Sequence, residues 1–496
     1  MKILWLNINA SYSHSSLALP SLHSQVEERL RGQFDWCVVS GTINRDPDIP
    51  LLEIINYNPD IILSTVWLFN HKYLIDLLSK VSKLMPNVRV VLGGPEFLGD
   101  NSEFLSQNKF VNAVFRGEGE ESFPSILESF ISDRDIENIP GICMLSPEGK
   151  YIDNGTAIIS DFATINPPES SYFFDWGKPF VQIETSRGCF NRCTFCVSGN
   201  IRKVEEISYE NLRNRLNEIS KIGIKEVRIL DRTFNANTAH AINLLNIFSG
   251  YYPEICFHLE IHPAFINDKL KLTLEKLPAG LLFLETGIQS LDELVLSTCK
   301  REGNSKESFK GLKYLCNLKK FVVHADLIAG LPYYTYDALI SNLISLINID
   351  INEIQLEKLK LLPGTELRKN ASIFGIIYSL TPPYEVLETS SISFEDLYKC
   401  SQLSKIIDIW HNSEVWHVVF REAVIRYPEF IEFFLSYCMK TGVLDSPMSL
   451  EKKGLILYRF CKQDFKDIVP MLAQAWESSG LSHNKGPGKY SKENIN

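Results

Sequence analysis

The chain has 496 residues, 45% hydrophobic and 22% charged, a balance that fits a globular protein of about three domains. With 27 Gly and 23 Pro it is neither collagenous nor of low complexity, and its net charge of −10 withholds the basic footprint of a general nucleic-acid binder. No segment reaches the ~18 uninterrupted apolar residues that a membrane span requires; the N-terminal MKILWLNINA reads as a buried strand, not a signal peptide. Eleven cysteines, an odd number scattered along the chain, fit buried thiols or metal ligands of a cytoplasmic protein better than a disulfide framework.

Residues 1–165 alternate apolar runs with helical patterns. Strands are predicted at Lys2–Asn7, Trp36–Ser40, Ile61–Val66, Arg89–Leu92 and Ala113–Phe115, and helices at Leu19–Leu30, His71–Leu84 and Ser122–Ile131. Such alternation predicts a Rossmann-like parallel sheet covered on both faces, with ligands at the carboxyl ends of its strands. The unusual residues fall there: Asn9, Ser13 and His14 after the first strand, Ser64 and Trp67 at the third, Gly93-Gly94-Pro95-Glu96 after the fourth, and Gly117 and Glu118 after the fifth. The glycines either let a ligand approach the backbone or form ordinary turns.

A linker, Asn166-Pro167-Pro168-Glu169-Ser170, precedes a second series over 175–390. Strands are predicted at Val181–Thr185, Glu226–Leu230, Cys256–Ile261, Gly280–Glu285, Val322–Ile328 and Ile354–Leu359, separated by helices. Six β/α units imply a partial (β/α)6 barrel of the TIM type. Polar residues mark the strand ends: Glu184, Asp231, Glu260 with His262, Glu285 with Gln289, Asp326, and Gln355 with Glu357. Cys256, His258, Glu260 and His262 alternate with apolar residues, so they predict a polar cavity wall; successive even positions climb ~7 Å and do not converge on one ion. Residues 391–482 read as a helical C-terminal domain that could cover the barrel mouth, its core drawn from residues such as Trp410, Trp416, Phe420, Phe430, Phe433, Phe434 and Tyr437. Residues 483–496 read as a disordered tail.

The strongest signal is Cys189-Phe190-Asn191-Arg192-Cys193-Thr194-Phe195-Cys196, which puts three cysteines within eight residues directly after an apolar strand. Three thiolates on one loop suit an iron–sulfur cluster with one iron left without a protein ligand, the open position that a catalytic metal needs. A structural zinc site takes four ligands, and no fourth Cys or His follows at short spacing. Arg187 and Arg192 are placed to neutralise the cluster.

The spacing Cys-x3-Cys-x2-Cys, with Phe195 before the last cysteine, resembles the signature of the radical SAM superfamily. The resemblance implies that Cys189, Cys193 and Cys196 hold a 4Fe-4S cluster. Its open iron would chelate S-adenosylmethionine, whose one-electron reduction would release a 5′-deoxyadenosyl radical, and the backbone of Phe195 would meet the adenine. Glu285-Thr286-Gly287-Ile288-Gln289-Ser290 and Asp326-Leu327-Ile328-Ala329-Gly330-Leu331-Pro332 resemble the family's fourth- and fifth-strand segments. Asp231, Glu260, Glu285, Gln289, Asp326 and Ala329 are therefore candidate S-adenosylmethionine contacts. Leu361-Leu362-Pro363-Gly364-Thr365 resembles the turn after the last strand.

A Rossmann-like domain ahead of this barrel, with Gly93-Gly94-Pro95-Glu96 and Arg116-Gly117-Glu118-Gly119-Glu120, resembles the cobalamin-binding subclass. This implies corrinoid contacts at the strand-end residues named above. The Asp-x-His-x-x-Gly motif is missing, and His14 lacks its spacing, so the lower ligand of cobalt stays open. The resemblance implies an enzyme that methylates an unreactive carbon, with ring formation or rearrangement by the same cofactors as an alternative, and a flavodoxin- or ferredoxin-type reductant. A methylthiotransferase would carry a second three-cysteine cluster, whereas residues 1–165 hold only Cys37 and Cys143. An iron–sulfur electron carrier or sensing module would not need a six-unit barrel with a polar mouth. The substrate, a small molecule or a peptide, is not legible.

Overall fold

Five apolar runs of the N-terminal segment become parallel strands: β1 Lys2–Asn9, β2 Asp35–Thr42, β3 Ile61–Thr65, β4 Arg89–Gly93 and β5 Ala113–Phe115. The computed structural model describes residues 1–14, 16–132, 134–199 and 203–489. Two further strands, β6 Ile142–Leu145 and β7 Tyr151–Asp153, extend the sheet antiparallel, in the order β2-β1-β3-β4-β5-β6-β7. The parallel part follows the 2-1-3-4-5 order of doubly wound sheets, whose ligand crevice lies where β1 meets β3. Ile3, Trp5, Leu63 and Val91 pack one face, and Leu4, Leu6, Ile62 and Val90 the other, because neighbours in a strand point to opposite sides. The helix His71–Leu84 buries Leu74, Leu77, Leu78 and Val81 against the second face, at the spacing of one helical stripe.

The chain divides into two compact units: Met1–Arg232 with Lys360–Asn370 and Ser379–Glu385, and Thr233–Leu359 with Ala371–Tyr378 and the C-terminal segment from Val386. The first unit also holds β8 Val181–Ile183 and β11 Glu226–Ile229, paired in parallel, and a short antiparallel pair, β9 Ser186–Arg187 with β10 Glu205–Glu206. The second unit holds four parallel strands, β12 Cys256–Glu260, β13 Leu282–Gln289, β14 Val322–Ala329 and β15 Glu353–Lys358. In chain order, β8 and β11–β15 with the helices between them supply the six β/α units read from the sequence. The architecture is α/β, with a helical segment following.

That segment runs through Phe394–Ile406, a π-turn at Ile407–His411, and helices His417–Arg426, Phe430–Thr441, Leu450–Asp464 and Val469–Ser478. Trp410, Trp416, Phe420, Phe430, Phe434 and Trp476 are fully buried in it, whereas Phe433, expected in the core, is exposed. Asn412, just past the π-turn, binds both the N–H (3.0 Å) and the C=O (2.9 Å) of Ile354 on β15. The helix Phe394–Ile406 and the π-turn pack against β15. No helix among the described residues is long and apolar enough to cross a membrane. Of the tail expected to be disordered, residues 490–496 lie outside the described residues.

His411 is wholly buried, its ring 4.6 Å from that of His417. Burial, aided by the nearby His417, pushes its pKa from 6.5 down to about 3, and burial does the same to His262. The unfolded chain therefore binds protons that the folded chain refuses. This stabilising contribution is complete above pH 6.5 and is lost as the pH falls toward 3. Urea midpoints of the His411→Gln variant should fall less steeply over that window than those of the parent protein.

Candidate active site

The cysteine loop is built by three local devices in the first unit. Asp231, at the end of β11, is 1% exposed and accepts four hydrogen bonds: from Thr185 N–H (2.7 Å) and Oγ1 (2.5 Å), and from Ser186 N–H (2.8 Å) and Oγ (2.7 Å). It fixes the strand end from which the loop departs. Burial pushes its carboxyl pKa up, opposed by those four donors. Gly188 adopts φ +102°, where a Cβ would lie 1.9 Å from the carbonyl oxygen of Lys203, so only glycine lets the loop close against that backbone. Further along, Cys196 N–H bonds the Cys193 carbonyl, Gly199 N–H bonds that of Cys196, and Leu367 N–H bonds that of Thr194.

Cys189 and Cys193 are buried and Cys196 is half-buried; none of the three is in a disulfide, and Ser198 N–H points at Cys196 Sγ from 3.4 Å. Among the described residues, no three His, Cys, Asp or Glu side chains gather as ligands of a single ion. In an iron–sulfur cluster each thiolate binds a different iron, so its sulfurs need not meet at one point. Phe195 is half-buried beside them.

Arg187 differs from expectation. Its guanidinium pairs with Glu120 (2.8 Å) and Glu184 (2.5 Å), approaches Glu118 (3.7 Å) and covers the ring of Phe162. These carboxylates already neutralise it and raise its pKa despite burial. Arg192 is exposed.

The segment Arg116–Glu120 is likewise engaged by protein. Arg116 pairs with both carboxylate oxygens of Asp153, locking β7 to the sheet. Gly117, at φ +106°, passes so close to Ala157 that a Cβ would lie 2.2 Å from its carbonyl oxygen. Glu118 accepts Ile159 N–H (2.8 Å), and burial raises its carboxyl pKa.

At the crevice between β1 and β3, Ser64 is buried and donates to the Leu6 carbonyl (2.7 Å). Asn70, which the sequence reading passed over, bridges both strands through the carbonyls of Ile8 and Thr65 and accepts Trp67 N–H. Trp67 and Phe69 stand out from this turn, 40% and 43% exposed and stacked with their rings 9° apart. Asn9 lines a cavity with Asn7, Ser11, Tyr12, Thr42 and Lys178. His14 lies nearby, exposed, its Nδ1 2.7 Å from Ser11 Oγ and 3.3 Å from Ser13 Oγ. Of the two glycines before Pro95, Gly94 (φ +111°) packs so tightly that a Cβ would be 2.5 Å from the Val66 carbonyl oxygen, whereas at Gly93 the nearest atom would be at 3.8 Å. Gly94→Ala should destabilise the fold by roughly 1–3 kcal/mol and Gly93→Ala by far less, a contrast that thermal melts of the two variants would read.

In the second unit, β12–β15 keep one apolar face and one polar face. Parallel register places Glu260, Glu285, His324 and Glu353 in one row and Gly287, Asp326 and Gln355 in another. His324, not singled out by the sequence, has Nε2 3.2 Å from Asp326 Oδ1; burial works against its charge, but Asp326, Glu285 and Glu353 outweigh it and hold its pKa above the ordinary value. Gln289 sits at φ +66° beside a register shift, its side chain folded back over Gly287. Ala329 is buried, three residues from Asp326 and on the opposite face, so it can offer a ligand only its backbone. His262 departs from the expected polar wall: β12 ends at Glu260, and His262 turns inward, buried against Phe265.

Residues 183–343 match the family model of the radical SAM superfamily. That segment carries a radical SAM domain. Residues 372–473 match a second model, described as a protein of unknown function, DUF4080. An uncharacterized methyltransferase of Pyrococcus horikoshii is 26% identical over 381 residues, covering 73% of this chain and 80% of the relative. The cobalamin-dependent radical SAM methyltransferase TokK of Streptomyces tokunonensis is 24% identical over 337 residues, 62% of this chain and 48% of that protein. The hopanoid C-3 methylase of Methylococcus capsulatus is 24% identical over 278 residues, covering 54% and 53%. The chain thus spans most of the first relative but only about half of the other two. Two solved structures share the fold: the methyltransferase TsrM from Kitasatospora setae (16% identity, 77% and 79% covered, TM-score 0.62) and the cobalamin-dependent enzyme OxsB (12%, 97% and 81%, TM-score 0.67).

Proposed function

We propose that the chain is a cobalamin-dependent radical SAM enzyme that transfers a methyl group to an unactivated carbon. The observation that carries this reading is the pairing, in one chain, of a 2-1-3-4-5 parallel sheet with a Cys-x3-Cys-x2-Cys loop launched from the first strand of a barrel series. The named relatives that match the chain, a cobalamin-dependent radical SAM methyltransferase among them, support it.

Cys189, Cys193 and Cys196 would hold the cluster. Phe195, Glu260, Glu285, Gln289, Asp326 and the Ala329 backbone are the proposed S-adenosylmethionine contacts. Asp231, proposed from the sequence as another, has every contact described above directed at the cysteine loop. When bound, the cluster and corrinoid supply one-electron reduction and a carrier for the methyl group. The protein's own part is to orient them: Asp231 and Gly188 hold the cysteine loop, while Trp67, Gly93, Gly94, Pro95, Asn9, Ser13 and His14 line the sheet edge proposed to receive the corrinoid. The domain limits 1–165, 175–390 and 391–482 remain part of this proposal, as do a cytoplasmic location and a flavodoxin- or ferredoxin-type reductant.

Iron, sulfide and corrinoid per chain, measured on protein purified without oxygen from cobalamin-fed cells, test the reading. About four irons and one corrinoid are expected. Four irons without corrinoid would remove the methyl-carrier role of the first unit and with it the methyltransferase reading.

A further inference from the structure

We infer that Leu361–Lys369 is a strut that sets the spacing between the sheet edge proposed for the corrinoid and the cysteine loop, with Gly364 as its positioning residue; the inference rests on the two-cofactor reading above. The segment Lys360–Asn370 follows β15 yet belongs to the first unit, as do both structures it touches. At one end it meets the turn Pro95–Phe97, which continues the Gly93-Gly94 edge after β4. Gly364 stands there at φ +81°, and a Cβ on it would lie 2.6 Å from the Leu98 carbonyl oxygen. Gly99 faces it in turn, its own Cβ position 3.1 Å from the Gly364 nitrogen. Two backbones therefore touch with no side chain between them. At the other end, Leu367 N–H donates to the Thr194 carbonyl at 2.8 Å, between Cys193 and Cys196.

The path from Gly364 to Leu367 is three peptide steps, which reach at most about 11 Å. The sheet's edge turn and the stretch between two of the cysteines are thus held close together. The segment is stiffened from within. Thr365, 1% exposed, donates from Oγ1 to the Leu362 carbonyl (2.8 Å) and accepts Arg368 N–H (3.4 Å), capping the short helix Glu366–Lys369. Arg368 Nη1 donates back to the Leu361 carbonyl (3.0 Å), and its guanidinium lies 4.6 Å from the centre of the Tyr384 ring. The Tyr384 carbonyl accepts Leu361 N–H (2.8 Å), and its hydroxyl donates to Glu96 Oε2 (2.8 Å), which His71 Nδ1 also faces at 2.7 Å. Glu96 is buried in the same edge turn, so the strut is pinned to that turn twice, by backbone contact and through Tyr384. The Arg187–Glu120 pair ties only the base of the cysteine loop; the strut reaches the part between the ligands. A methyl carrier and a radical source serve one substrate only when held at a fixed separation, because small misplacements of reacting groups lower rates steeply.

The test is the magnetic interaction between cob(II)alamin and the reduced cluster in the full chain loaded with both, read as the relaxation rate of the cobalt signal in pulsed electron paramagnetic resonance. A nearby paramagnetic cluster speeds that relaxation, and the effect falls steeply with separation. The expected result is enhanced relaxation in wild type, and loss of most of that enhancement in Gly364→Ala with iron and corrinoid content unchanged. Gly99→Ala, a milder intrusion, should lose less. Gly149→Ala is the control: at the same φ of +81° but with nothing within 4 Å, it carries the backbone strain without the contact and should keep wild-type relaxation. Unchanged relaxation in both Gly364→Ala and Gly99→Ala would overturn the inference. So would loss of iron or corrinoid in both, an equal change in Gly149→Ala, or no enhancement in wild type. Gly99→Ala decides the point if Gly364→Ala fails to fold. Wild-type protein that binds iron but no corrinoid would overturn the cobalamin reading itself, and this inference with it.

Discussion

Replacing Cys189, Cys193 and Cys196 together by Ala is expected to abolish iron binding and all reductive cleavage of S-adenosylmethionine, while leaving the fold intact. The asymmetry follows from what holds the loop. Its shape rests on the four hydrogen bonds to Asp231, on the close approach of Gly188 to Lys203, and on backbone bonds from Gly199 and Leu367. None of these passes through a thiol side chain. Iron and sulfide analysis would give the first readout, 5′-deoxyadenosine formation under dithionite the second, and a thermal melt the control. Cleavage that survives in the triple variant would refute the assignment of the cluster ligands.

Asp231→Ala should have the second largest effect, and by the opposite route. It removes no ligand, yet leaves four donors at Thr185 and Ser186 without their acceptor, in a site only 1% exposed. Unsatisfied buried donors cost about 1–3 kcal/mol each, with partial relief by relaxation. A net loss of about 3 kcal/mol or more in urea unfolding is expected, together with reduced iron occupancy. Asp231→Asn, which keeps one acceptor oxygen, should fall between. Full stability in Asp231→Ala would mean that the loop is held elsewhere.

The strands were legible where burial on both faces enforces an apolar run, as in Ile61–Thr65, or where one buried face enforces strict alternation, as in Val322–Ala329. Helices with a clean stripe, such as His71–Leu84, Tyr209–Ile222 and Ser305–Leu318, begin and end where their periodicity does. The helix Asp48–Tyr57 was not seen, because Ile49, Leu52 and Ile55 put apolar residues on its exposed side and blur the pattern. Strands β6 and β7 were missed because they are short and join the sheet antiparallel, breaking the β/α alternation that revealed the rest. The cysteine loop was legible because its chemistry is local. The roles of Asp231, Arg187, Gly94 and Gly117 were not, since their partners, such as Ser186, Glu120, Val66 and Ala157, lie on other segments that only folding brings near. At Gly94 and Gly117 the missing Cβ lets the chain approach itself. The His71–Glu96–Tyr384 chain spans 313 positions and leaves no spacing signature.

The amide of Asn412 has a consequence beyond local packing. By satisfying both the N–H and the C=O of Ile354, a side chain stands where the next β-strand would hydrogen-bond. An uncovered rim of parallel strands is a template for recruiting further extended chains, from unfolded copies or from other proteins. Asn412, just past the π-turn, blocks that propagation near the start of β15. Loss of this amide would be felt less in the stability of one molecule than in how many molecules stay apart at high concentration.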